Sequence, residues 1–207
     1  MKRIRILGMA LVAVLAMSAV AVAIASAAAP EFSPATNSGT SKSATATFTE
    51  EGEAFSIKCT SNTGTSTITG AKAGTFVETF KGCKAAGIET CTGEGESSGV
   101  IKTKGSFVLG YIKGTEVGLK FSPEPTEFTC AGTKVKVTGC AAGPITPIGE
   151  TTTKFTVKLT ASKGKQTPDE FEGSSCTLKS EKGGGTAKEG GQEQTEEITE
   201  TTAGEIT

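Results

Sequence analysis

The side chains of this chain that could do chemistry are cysteines, carboxylates, lysines and hydroxyls. Histidine and tryptophan are absent from all 207 residues, and the two Arg residues, Arg3 and Arg5, lie at the N-terminus. Tyr111 and Asp169 are the sole residues of their types. Without imidazole, acid–base work falls to Glu or Lys with shifted pKa values, and the ligands of most catalytic zinc and copper sites are missing. Without Arg in the body of the chain, planar bidentate grips on phosphate or carboxylate cannot form.

Four local patterns invite a catalytic or binding reading, and each has a plainer one. Gly95-Glu96-Ser97-Ser98-Gly99 fits G-x-S-x-G, but a nucleophile elbow needs a strand-to-helix turn and a His partner, so a polar turn is expected. Ser162-Lys163-Gly164-Lys165 fits S-x-x-K, yet the K-T-G and S-D-N elements of such enzymes are absent; it reads as a basic turn. Asp169, Glu170 and Glu172 form the densest acidic group, which could hold calcium or be a solvated turn. Thr63, Thr65, Thr67 and Thr69 form a single hydroxyl ladder without the fixed repeat of an ice-binding solenoid, so a wet strand face is expected. A glycosidase would need two Glu facing each other roughly 5–10 Å apart, which a sequence rich in Glu but poor in sugar-stacking aromatics neither supplies nor forbids. The expectation is therefore no catalytic residue, no cofactor and no metal.

The elements that would carry these groups begin with an export signal. Lys2, Arg3 and Arg5 precede an apolar run from Ile6 to Ile24, and Ala25-Ser26-Ala27 offers a signal peptidase site. Cleavage after Ala27 is expected. If uncleaved, the run is just long enough to anchor the chain in a membrane. Removing the three basic residues of the signal from the chain's 21 leaves 18 Lys against 22 acids, a net charge of −4. That balance does not suggest a nucleic-acid partner.

Residues 28–43 are Pro, Ser, Thr and Ala with little to bury and read as a flexible leader. Residues 182–207 are Gly- and Glu-rich, a polar tail with Ile198 and Ile206 as its large apolar groups; it could add an edge strand or stay solvated. Between them, residues 44–181 show period-two alternation. Phe155, Val157 and Leu159 alternate with Lys and Thr, as do Phe55, Ile57 and Cys59 with Ser56 and Lys58. At Phe107–Ile112 both faces are apolar, as in a central strand. No helical stripe follows the signal. The expected fold is all-β, a single disulfide-stapled β-sandwich or barrel of about ten short strands.

The stretches IKCTSNTGTSTITGAKAGTFVETFKGC, GYIKGTEVGLKFSP and GPITPIGETTTKFTVKLT resemble a family of exported, β-rich bacterial proteins, over roughly residues 54–166. The resemblance implies a secreted β domain and no activity. Cys59, Cys83, Cys91 and Cys130 fit its pattern, whereas Cys140 and Cys176 look like additions.

Six cysteines in an exported chain, none in a close C-x-x-C pair, point to three disulfides. At roughly 2–4 kcal/mol each, they would supplement a core sparse in large apolar residues. The expected pairs are Cys83–Cys91, which closes a short loop; Cys59–Cys130, which ends two Phe-bearing strands; and Cys140–Cys176, the remaining pair. The whole reads as an exported, non-enzymatic structural or binding module at the cell surface or envelope. It would act through strand edges and Thr, Ser, Lys and Glu surfaces on an envelope or extracellular protein or polymer. The rival is a hydrolase using Glu or Ser/Lys without His. Two buried, converging carboxylates in a cleft would favour the rival, and a filled core with open strand edges the module.

Overall fold

The structure is a computed structural model and describes residues 29–52 and 55–207. The signal reading falls on residues outside that range. All regular structure in the described residues is β, and the strands fall into eight long staves. A short N-terminal strand, β1 (Phe32–Ser33), leads into the first stave, made of β2 (Asn37–Ser43) and β3 (Ala46–Glu50). β4 (Ser56–Cys59) and β5 (Ser61–Gly70) form the second, β6 (Ala73–Lys81) and β7 (Lys84–Ala85) the third, β8 (Glu89–Gly93) and β9 (Ile101–Lys113) the fourth. β10 (Glu116–Pro123) and β11 (Thr126–Cys130) form the fifth, β12 (Thr133–Gly139) and β13 (Ala141–Thr146) the sixth. The seventh runs through β14 (Thr152–Ser162), leaves the wall for β15 (Lys165–Thr167), β16 (Glu170–Phe171) and β17 (Ser174–Ser175), and returns as β18 (Leu178–Lys182). The eighth is the single strand β19 (Lys188–Ile206).

Each stave pairs antiparallel with the next, and β19 pairs back onto the first, Glu197 opposite Lys42 and Gly190 opposite Glu50. Its other edge meets β14 and β18, with Ile198 opposite Phe155 and Gly190 opposite Leu178. The result is a closed, eight-stranded up-and-down barrel, β2–β5–β6–β9–β10–β13–β14–β19, extended at one end by the companion strands of the same staves. Between the first two staves the register carries through the break, since Ser43 faces Asn62 and Ala46 faces Cys59.

Closure corrects three expectations. The staves pair on both edges along most of their length, so the wall offers no free edge strand to which a module could add a partner. Residues 37–43 are a wall strand, because Gly39, Ser41 and Ser43 are small enough for the crowded inner face while Ser38, Thr40 and Lys42 meet water. The tail is the longest strand, paired with β1, β2, β3, β14 and β18. Gln194, Glu196, Ile198 and Glu200 alternate inward along it against exposed Thr195, Glu197 and Thr199. Its low hydropathy hid a strand whose inner face is mostly polar.

The apolar interior comes in two parts. Phe107, Leu109, Leu119, Phe155, Val157 and Ile198 belong to the cluster at the β1 end. Ile57, Phe128 and Val135 pack with four cysteines at the other. The doubly apolar stretch of β9 is explained as well. Phe107 and Leu109 point inward, while Ile112 and Val108 lie outside under Phe171 of the β16–β17 hairpin, which Cys140–Cys176 fastens to the wall.

Of the expected disulfides, Cys140–Cys176 is present; the others are Cys59–Cys83 and Cys91–Cys130. Cys91 lies directly opposite Cys130 in the ladder, and the Cys91 amide bonds the Cys83 carbonyl across the β7–β8 turn. The four cysteines therefore form one row across four neighbouring staves. Cys59 and Cys130 stand at its ends, three inter-strand spacings or roughly 14 Å apart, beyond the reach of a bridge. Each inner cysteine instead bonds outward. Three disulfides fit an oxidising compartment.

Candidate functional site

Between the two apolar clusters, one holding Phe76 and the other packing Phe80, the inward side chains turn polar. Glu78 on β6 lies opposite Gly64 of β5, and a Cβ at Gly64 would collide with the Glu78 carboxylate and with Ser41 Oγ. The glycine makes the room in which the carboxylate sits. Ser41 Oγ donates to Glu78 Oε1, and Asn62 Nδ2 donates to Oε2 at 2.8 Å. The Glu78 carboxyl also adjoins that of Glu196 on β19. Glu196 Oε2 accepts from Gln194 Nε2 at 3.0 Å, and Gln194 Oε1 accepts from Gln192 Nε2 at 2.8 Å.

Two carboxyls in contact inside an apolar wall cannot both ionise cheaply. Burial first, then the hydrogen bond to Glu196 and its charge, push the Glu78 carboxyl up to about 9; Ser41 pulls weakly the other way. Burial also raises Glu200, two inward positions further along β19. Buried Asn62 Oδ1, Ser66 Oγ and Glu200 Oε2 have no hydrogen-bond partner.

Two cavities meet at this belt. One of about 110 Å³ is walled by Phe48, Phe76, Phe80, Phe121 and Phe128, with Glu78, Gln194 and Glu196 at its floor. A smaller one of about 30 Å³ continues past the same two carboxyls and is lined by Ser41, Ser66 and Glu200. Outside the wall, a groove of about 550 Å³ lies between the 94–100 excursion and the start of β11. Thr103 and Thr126 line both this groove and the larger cavity, and their hydroxyls hydrogen-bond at 2.6 Å. There β9 pairs with β6 on one edge, while its ladder with β10 stops at Gly105. The β8–β11 ladder does not resume until Phe128. The Thr pair thus closes a thin seam in the barrel wall.

The patterns weighed from sequence lie elsewhere. Gly95 and Gly99 take positive φ in a turn, and Ser162–Lys165 is the β14–β15 turn, where Lys165 pairs with Glu51 at 2.9 Å. Asp169 precedes the outer β16–β17 hairpin, Glu170 lies in β16 and Glu172 in the hairpin's turn, and no group of three or more possible metal ligands converges among the described residues. Thr63, Thr65 and Thr67 are exposed on the outer face of β5. Another buried acid, Glu50, is structural: Ser180 Oγ donates to it at 2.6 Å, and Lys182 pairs with it at 2.9 Å, tying β3 to β18.

The carboxyl pair was not singled out from sequence. Its signal was there: Phe76, Glu78 and Phe80 share one parity, as do Glu196, Ile198 and Glu200, which places an acid on a face that otherwise buries hydrocarbon. Of the two discriminating patterns, the structure combines closed edges with converging carboxylates. Comparison with protein-family models, curated proteins and solved structures finds no match to this chain.

Proposed function

We propose that this chain is an exported, non-enzymatic binding barrel of the cell surface or envelope, which holds a small molecule in its interior. The observation that carries the reading is the cavity walled by five phenylalanines and floored by Glu78 and Glu196. Small ligand sites are built this way, mostly apolar with a few converging polar groups. Export is supported by the signal pattern and by the three disulfides. The cavity is smaller than the engineered one of about 150 Å³ that takes benzene, so the occupant has roughly six heavy atoms or fewer.

The hydrolase alternative draws on the same two carboxyls, since a pair sharing a proton can serve as acid and base. The two carboxyls adjoin each other instead of facing across the roughly 5–10 Å of glycosidases, and a cavity of about 110 Å³ has no room for a polymer. Binding is the better fit.

The test is nuclear magnetic resonance of the oxidised chain titrated with a panel of small apolar molecules, beside fractionation of the producing cells. Shifts centred on Phe48, Phe80 and Phe128, with the protein outside the cytoplasm, are expected. Shifts confined to outward residues such as Thr40 and Thr65, or a cytoplasmic protein, would overturn the reading.

A further inference from the structure

The polar atoms of the interior are unbalanced in one direction. Glu78, Glu196 and Glu200 line the two cavities, and no Lys lines either of them. Lys182, the cation that reaches a buried acid, is committed to Glu50 at the far end and lies over the Phe55 ring. Glu200 is 8% exposed, lines the smaller cavity and leaves Oε2 without a hydrogen-bond partner; Asn62, 1% exposed, leaves Oδ1 unpartnered beside Glu78. Buried acceptors without donors are destabilising, so what this interior lacks is a donor with positive charge.

We propose that the barrel selects a small apolar amine, its ammonium seated among Glu78, Glu196 and Glu200 and its hydrocarbon body against Phe48, Phe76 and Phe121. The inference rests on the interior being the binding site. An ammonium offers three donors and no acceptor, and so matches a site with acceptors to spare. The cavity above the carboxyls supplies aromatic faces, which attract a cation as well as hydrocarbon. An anion would meet three carboxyls and no cation, and an alcohol would leave the charge unbalanced. Binding should displace the proton that Glu78 holds, because the ammonium supplies the favourable charge that Glu196 does not.

Cyclopentylamine and cyclopentanol differ in the head group and match in size, so the pair isolates the charge. Titrated into the oxidised chain at pH 7, the amine is expected to bind at least about tenfold more tightly, the scale of a charge-assisted hydrogen bond over a neutral one. Phe76 and Phe121 signals should shift. Glu200→Gln and Glu196→Gln should each shrink the preference for the amine over the alcohol. Equal affinity for the two probes would overturn the amine assignment and leave interior binding standing. Amine shifts confined to surface acids such as Glu197 would also overturn it, and failure of both probes to enter would overturn the interior site itself.

Discussion

Glu78 sits on the inward face of β6 between Phe76 and Phe80, a position its sequence parity already marks as buried. In the fold its carboxyl is held at about 9, against the usual 4.5. The folded chain therefore keeps a proton that the unfolded chain gives up above about pH 4.5, and stability falls wherever the folded state holds the extra proton. The contribution is complete below that pH and is lost as pH climbs towards about 9. Glu200, also raised by burial, acts in the same direction. Tm followed by circular dichroism is expected to fall steadily between about pH 5 and about pH 9, and Glu78→Gln to flatten that slope. A parent Tm that rises across the window contradicts the assignment. At this scale alternation gave the facing of each side chain. It could not say that Glu78 on the third stave and Glu196 on the eighth would touch, since contact between the two depends on the shape of the closed wall.

Among the elements, β19 was the least legible. A segment of Gly, Glu, Gln and Thr looks solvated because the usual sign of a buried strand face is hydrocarbon, and here that face is Gln194, Glu196, Ile198 and Glu200. The alternation of β14, in contrast, was plain, because Phe155, Val157 and Leu159 bury hydrocarbon. Since β19 closes the barrel on both edges, a chain ending at residue 187 is expected to lose cooperative thermal unfolding rather than a few degrees of Tm. A truncated chain that melts with the parent's midpoint contradicts the closure.

The disulfides separate in the same manner. Cys140–Cys176 was readable as the remaining pair, but the other two depend on which staves are neighbours. Because Cys140–Cys176 fastens an outer hairpin, replacing both residues with Ser should free residues 163–177 to proteolysis while the wall survives. Breaking Cys59–Cys83 or Cys91–Cys130, which bridge neighbouring staves, should cost about 2–5 kcal/mol of global stability. Equal effects from all three would contradict that division.

Seen whole, the molecule is a barrel with hydrocarbon inside and Thr, Lys and Glu outside. Lys42, Thr63, Lys154, Lys158 and Glu197 all face out and are exposed, the inverse of a barrel whose outer band meets lipid. The sequence made the all-β class legible and narrowed the architecture to a sandwich or a barrel. It left closure open, since closure depends on a final strand with too little hydrocarbon to announce itself. The interior carries the functional claim, and xenon tests it without presuming the ligand, because an apolar cavity of this kind takes up the gas. A crystal structure of the oxidised chain under xenon pressure is predicted to show xenon bounded by Phe48, Phe76, Phe80 and Phe121, inside a wall closed by β19 against β2 and β14. Xenon only in the outer groove beside Thr103 and Thr126, or an interior filled by side chains, would contradict the account.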